Sequence, residues 1–221
     1  MPNRFSGHGL TCFRGERFVF EALDFSVAAG EALVLTGPNG SGKSSLIRIM
    51  AGLLSPLEGH LAWDGEPIDG APEDHSASLH YVGYQDAIKP VMTVGENLAF
   101  WAGLRGARGD VGAALDVVGL GRLAATPAQF LSSGQRRRLS LARLAASPAP
   151  LWLLDEPTVG LDRAAVGILE SLIAKHRAAG GIVILATHQP IAAGDDAGSL
   201  DLGAYTARRQ VFDDQSEGAA A

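Results

Sequence analysis

One octapeptide constrains this chain more than anything else in it: Gly37-Pro38-Asn39-Gly40-Ser41-Gly42-Lys43-Ser44. It fits G-x-x-x-x-G-K-[S/T], the pattern of a loop that wraps a phosphate chain. Gly37, Gly40 and Gly42 let the backbone curl, so that successive N–H groups point inward at phosphate oxygens. Lys43 supplies a point charge for the β- and γ-phosphates, and Ser44 offers a hydroxyl to magnesium. The flanks supply the context the motif needs. Glu31 to Gly37 (EALVLTG) reads as a short buried strand. Ser44 to Leu54 (SSLIRIMAGLL) has helical spacing, with Leu46, Ile47, Met50, Leu53 and Leu54 on one side. The positive end of that helix faces the same anion. The stretch from Gly37 through Ser45 is therefore the candidate cradle for a nucleotide.

At 221 residues the chain suits one large domain, or one domain with an inserted lobe. A hydrophobic content of 47% is ample for a core. The net charge of −6 argues against a nucleic-acid binder that works by neutralising phosphates, so no nucleic-acid partner is expected. Cys12 is the only cysteine, which excludes an intrachain disulfide. That suits a reducing compartment, as does the lack of a secretory pattern at the start. No run of about 18 apolar residues occurs, so a membrane role must come through a partner. Residues 1–210 read as a single domain. Residues 211–221, acidic and rich in small residues from Asp213 on, read as a flexible tail.

The first 30 residues carry β-like segments at Leu10 (LTCF), Arg17 (RFVFEAL) and Asp24 (DFSV), which suggest a small antiparallel sheet. Gly59 onward (GHLAWDGEPI) reads as a hairpin, and Leu79 to Gln85 (LHYVGYQ) as a strand ending on a polar residue. From Thr93 to about Arg143 the pattern turns helical, and a helical subdomain over about 86–145 is expected, inserted in the core. Leu151 to Pro157 (LWLLDEP) is four apolar residues followed by two acids. Leu161 to Gly180 is an amphipathic helix with a glycine stop, and Ile182 onward (IVILATHQ) another buried strand. Strand and helix alternate. The expectation is an α/β fold: a P-loop NTPase core with a mainly parallel sheet, an N-terminal antiparallel β subdomain and an inserted helical subdomain.

Three further groups carry chemistry. Asp155 and Glu156 emerge where ligands of open α/β sheets bind, at a strand's carboxyl end. The first acid suits magnesium and the second suits polarising an attacking water. Leu131 to Arg138 (LSSGQRRR) puts a serine and a glycine at a helix start, which either meets an anion or is an ordinary capped helix with a basic first turn. Gln85 and His188 each end a strand and each also fit a purely structural role. Asp162 fits a helix N-cap.

Taken together these segments resemble the nucleotide-binding subunit of an ABC transporter. LSSGQ resembles that family's signature, with Ser133 replacing the first of two usual glycines and Ser132, Gly134 and Gln135 matching. GPNGSGKS resembles the Walker A motif and LWLLDEP the Walker B motif. Gln85 stands at the Q-loop position, Gly160-Leu161-Asp162 at the D-loop and His188 at the switch histidine. The resemblance covers roughly residues 8–205. It implies ATP and Mg2+ as cofactors, with Ser44, Asp155 and Gln85 toward the metal and Glu156 and His188 catalytic. It also implies a head-to-tail dimer of two copies, in which Ser132, Gly134 and Gln135 of one copy close over the nucleotide of the other. Members usually stack adenine on an aromatic near the N-terminus. Here that position falls on Arg14, with Phe13 adjacent, and a guanidinium can also stack on a purine.

Three longer stretches narrow the resemblance: RGERFVFEALDFSVAAGE, VGYQDAIKPVMTVGENLAF and ATHQPI. They resemble the ATPases of bacterial cytochrome c maturation, the CcmA-type haem-exporter subunits. That implies integral membrane partners of the CcmB and CcmC type and a peripheral place on the cytoplasmic face of the bacterial inner membrane. No histidine of this chain sits in C-x-x-C-H, so haem binding by the chain itself is not expected. Alternatives are an ABC ATPase for another membrane cargo and a soluble ABC ATPase of iron–sulfur cluster assembly.

Overall fold

The structure, a computed structural model, describes residues 3–106 and 109–205. The tail expected from 211 lies outside them.

The chain opens with two long strands, β1 (Arg4–Arg14) and β2 (Arg17–Ala28), paired antiparallel. The three short segments legible in the sequence merge into this one hairpin. Ala22 takes a positive φ of 49° and breaks the register, so a single strand reads as two pieces. β3 (Ala32–Thr36) leads into the phosphate loop and α1 (Lys43–Met50). A hairpin of β4 (Glu58–Trp63) and β5 (Glu66–Pro67) follows and adds to the first sheet, in the order β2-β1-β4-β5. The short α2 (Pro72–Ala77) precedes β6 (Leu79–Val82). Then come three helices, α3 (Val94–Gly103), α4 (Val111–Val117) and α5 (Ser133–Ala146). The chain returns through β7 (Leu151–Asp155), α6 (Arg163–Ala178), β8 (Ile182–Ala186) and β9 (Gly198–Asp201). The second sheet has the order β6-β7-β8-β3-β9, and every pairing in it is parallel.

Alternation along the central strands builds two cores at once. Leu151 and Leu153 of β7, with Ile182 and Ile184 of β8, face one core with α1 and the antiparallel sheet, including Phe5, Phe20, Ile47 and Met50. Trp152, Leu154, Val183 and Leu185 face the other, packed on α5 and α6. A third core of Val94, Leu98, Leu115, Leu120 and Leu139 belongs to the helical lobe. Helix α5 serves two of them: Leu141 and Leu144 face the sheet, while Leu139 and Ala142 face the lobe. It is the seam between lobe and sheet.

Two boundaries differ from the sequence expectation. Helix α1 ends at Met50 rather than Leu54. Gly52 takes φ 69°, its N–H bonds Ile49 O at 2.9 Å, and the Leu53 N–H bonds Arg48 O at 2.9 Å. This glycine-closed end turns Leu53 out to 63% exposure, off the apolar face where helical spacing put it. Strand β6 ends at Val82 rather than Gln85, because the Gly83 carbonyl is drawn away by the Arg137 guanidinium at 2.8 Å. Two elements went unread: α2, and β9, whose short Gly-Ser-Leu-Asp run is fixed by its parallel pairing with β3.

Candidate active site

A cavity of about 750 Å³ opens at the carboxyl end of the parallel sheet. The phosphate loop forms its floor with Asn39, Gly40, Gly42, Lys43, Ser44 and Ser45. Glu156 and His188 face it from the ends of β7 and β8, and Arg14 from the tip of the first hairpin. Nine of the residues singled out in the sequence thus share one cavity. The loop fits tightly onto the antiparallel sheet. A Cβ on Gly42 would stand 2.6 Å from Val19 Cγ1, and Gly42 has φ 102°, so this position needs glycine twice over.

The loop's polar groups converge on the cavity floor. Lys43 is 7% exposed, and its Nζ donates back to the carbonyls of Gly37 at 2.7 Å and Pro38 at 3.0 Å. Those carbonyls hold the ammonium where a phosphate oxygen would compete for it. Ser41 Oγ is buried and has no hydrogen-bond partner among the described residues. Behind the loop, Ser44 Oγ donates to Asp155 Oδ1 at 2.9 Å. Asp155 is 1% exposed, and its Oδ2 is buried without a partner. Burial raises the Asp155 pKa, against the smaller opposing effects of the Ser44 hydrogen bond, Arg48, Arg137 and Lys43. A buried carboxylate with a free oxygen beside a hydroxyl is a hard-oxygen donor set of the kind Mg2+ takes.

Glu156 stands apart chemically. It takes φ 50°, in the left-handed region. Its Oε1 lies 3.5 Å from His188 Nε2, and its Oε2 accepts loosely from the His188 N–H at 3.4 Å. The carboxylate thus faces the cavity, half held by the histidine, with room for a water.

The other singled-out residues lie elsewhere. Gln85 is exposed and lines a separate groove with Leu53, Trp101, Leu104, Arg105 and Arg143, while its neighbour Tyr84 takes the cavity side. Ser132, Gly134 and Gln135 sit at the start of α5 and are absent from the cavity lining. Ser132 Oγ accepts from the Gln135 N–H at 3.2 Å, and Gln135 Oε1 accepts from the Ser132 N–H at 2.9 Å, a reciprocal cap. A Cβ on Gly134 would come within 3.0 Å of Gly160 O, so this helix start packs closely on the turn before α6. Asp162 caps α6, with Oδ1 accepting from the Ala165 N–H at 2.8 Å.

Sequence reasoning missed Arg17, Val19, Tyr84, Val159 and Gln189, which all line the cavity. Arg17 had a signal. In Arg14-Gly15-Glu16-Arg17 the two central residues take φ 56° and 60°, a tight turn that sets the arginines directly opposite each other. Phe13 points away from the cavity and packs edge-on against Phe18, with centroids 5.1 Å apart. Arg137 was also missed; it was read as part of a basic first turn, yet it is 3% exposed.

Comparison with known proteins places this geometry. Residues 20–159 match the model of the ABC transporter ATP-binding family. The "Cytochrome c biogenesis ATP-binding export protein CcmA" of Paramagnetospirillum magneticum is 56% identical over 192 residues, covering 85% of this chain and 88% of that protein. The protein of the same name from Rhodospirillum rubrum is 56% identical over 191 residues, covering 86% of this chain and 82% of that one. A solved chain from Pyrococcus furiosus, described as an ABC transporter ATP-binding protein, superposes with a TM-score of 0.79 at 23% identity, covering 92% of this chain and all of that one, which bears on the fold alone. The chain belongs to the ABC transporter ATPase family, in the branch of the cytochrome c biogenesis ATP-binding export proteins.

Proposed function

We propose that this chain hydrolyses MgATP to drive a haem-linked export complex in cytochrome c biogenesis, as a head-to-tail dimer on the cytoplasmic face of the bacterial inner membrane. The observation that carries the reading is the division of the site. Loop, Glu156 and His188 share one cavity, with Asp155 buried behind the loop, while Ser132 and Gly134 lie outside its lining at the start of α5. A second copy is the natural source of a signature for this cavity.

In this reading the loop N–H groups and Lys43 take the β- and γ-phosphates, with Lys43 leaving the Gly37 and Pro38 carbonyls to do so. Mg2+ neutralises phosphate charge when bound, and Ser44 and Asp155 are the residues to hold it. Gln85 reaches that metal only after the loop following β6 turns, since it now lines the neighbouring groove. Glu156 accepts a proton from the attacking water, and His188 orients the carboxylate and meets the γ-phosphate. Ser132, Gly134 and Gln135 of the partner copy close over the phosphates. Arg14 and Arg17 face the base and sugar side in place of an aromatic, and Arg14 is the guanidinium to stack on the purine. The groove beside Gln85, flanked by exposed Leu53 and Leu104, suits a helix from CcmB- or CcmC-type membrane subunits.

Purification of the tagged chain from native membranes tests the setting. Co-recovery of integral membrane subunits is expected. Recovery of cytosolic partners alone would sink the transporter reading in favour of a soluble assembly ATPase.

A further inference from the structure

The first two turns of α5 carry three consecutive arginines, and each goes a different way. Arg136 Nη1 bonds Leu131 O at 3.0 Å, beside its own helix start. Arg138 Nη1 bonds Val118 O at 3.1 Å, inside the helical lobe. Arg137 turns the opposite way, into the seam between the lobe and the parallel sheet. Its Nε donates to Pro157 O at 3.2 Å. Its Nη2 donates to Asp155 O at 3.1 Å and to Glu156 O at 2.7 Å. Its Nη1 donates to Gly83 O at 2.8 Å and to Asp86 Oδ1 at 3.2 Å.

This is an unusual use of a buried charge. A guanidinium out of water is costly unless its donors are all used, and an apolar side chain of similar volume usually serves stability as well. Here one carboxylate and four main-chain carbonyls use the fork. The carbonyls belong to two segments that matter to the site. One is the strand end under Asp155 and Glu156. The other is the loop that leaves β6 and runs through Gln85 into the lobe. The guanidinium itself is carried by the lobe's signature helix.

Glu156 needs such support. Its left-handed backbone is unfavourable for a residue with a Cβ. Its N–H is held by Ala186 O at 2.8 Å on one side, and its carbonyl by Arg137 on the other. With the peptides on both sides clamped, the carboxylate faces His188 and the phosphate loop.

We infer that Arg137 is a positioning residue that makes the working conformation of Glu156 conditional on how the helical lobe is docked against the sheet. The inference rests on Glu156 as the water-activating carboxylate. A rotation of the lobe moves α5 and the loop at 83–86 together, and with them the clamp on the Glu156 carbonyl. Hydrolysis is then gated by the lobe, the same body whose groove and signature face outward to partners.

The test uses the full chain with three substitutions, Arg137→Lys, Asp86→Ala and Glu156→Gln, each followed by ATPase kinetics, MgATP binding and thermal unfolding. Lysine keeps the charge but cannot span both segments from one nitrogen. For Arg137→Lys, kcat is expected to fall by about tenfold or more, with KM and MgATP affinity within about twofold of the parent. Asp86→Ala removes the carboxylate from the clamp and leaves the Gly83 O bond to the loop in place, and about a threefold loss of kcat is expected with KM unchanged. Parental kcat in Arg137→Lys, with only a lower melting temperature, would make Arg137 a structural strut and overturn the inference. Should that variant not fold, Asp86→Ala decides: parental kcat overturns the inference and the loss supports it. Glu156→Gln separates the two layers. If it turns over normally, the role of Glu156 fails and takes the inference with it. If it is inactive while both other variants keep parental kcat, only the gating by Arg137 fails.

Discussion

The phosphate-loop side and the signature side of this molecule are built on opposite principles. Around the loop, polar groups are left wanting. Asp155 Oδ2 and Ser41 Oγ are buried without partners, and Lys43 is parked on carbonyls of its own loop. At the start of α5 the cap closes on itself, since Ser132 and Gln135 each bond the other's backbone N–H with a side-chain oxygen. Buried polar groups without partners cost stability, and beside a phosphate loop a bound ligand can supply the missing partner. A self-satisfied helix start costs nothing while it waits in solvent. The contrast teaches that the two halves need not meet in one chain: the loop side is preorganised for a nucleotide, and the signature side for a surface.

The strongest way to break this contrast is to remove chemistry from the loop side while leaving binding. Glu156→Gln is expected to keep MgATP affinity and lower kcat by about a hundredfold or more, measured by phosphate release and by nucleotide binding on the same protein. Near-parental turnover would remove Glu156 from its role. Next in size, Lys43→Ala is expected to weaken ATP binding by about tenfold to a hundredfold, read by calorimetry, because the loop then offers only N–H dipoles to the phosphates. Gly134→Ala sharpens the signature side. Its Cβ would crowd Gly160 O at 3.0 Å, so turnover is expected to fall about tenfold while ATP affinity of the isolated chain stays within twofold. Loss of ATP affinity instead would place Gly134 in the same cavity as the loop.

A smaller effect has the opposite sign. Burial raises the pKa of Asp155, so folding binds its proton more tightly than the unfolded chain does. That contribution favours the fold below the ordinary aspartate value of 3.8, and is lost as pH rises through the raised folded value. Above that raised value the ionised carboxylate weighs against the fold. Asp155→Asn is expected to raise the melting temperature at pH 7 by a few degrees, and the gain to shrink in acid, while Mg2+-dependent ATP binding is lost. A lower melting temperature at pH 7 would show that the carboxylate supports the fold without its ligand. The smallest expected change is at Arg14→Ala, about a threefold loss of ATP affinity.

How much of this was legible beforehand follows the same divide. Local placement read well. The glycine loop, Glu156 and His188 reach one cavity, and Asp155 sits buried behind the loop, because each depends on spacing within a few residues. The α/β architecture with a parallel sheet and helical insertion followed from strand and helix periods. What was lost depends on distant partners or single dihedrals. Arg137 sits in a basic run that reads as a solvated first turn, and its partners lie 18 to 54 residues away in sequence. Tyr84 and Gln85 trade places across one peptide, which no pattern announces. The early end of α1 came from Gly52, whose left-handed φ outweighed the apolar spacing of Leu53 and Leu54. Strand β9 is too short and too polar to read without its partner β3.

The central claim is that the catalytic site is completed by a second copy of the chain. Sedimentation equilibrium of the full-length Glu156→Gln protein, with and without MgATP, tests it most directly. Without nucleotide the mass is expected at the single-chain value of 22.9 kDa, and with saturating MgATP at twice that. A mass that stays at 22.9 kDa under saturating MgATP, while the parent protein hydrolyses ATP at full rate, would contradict it.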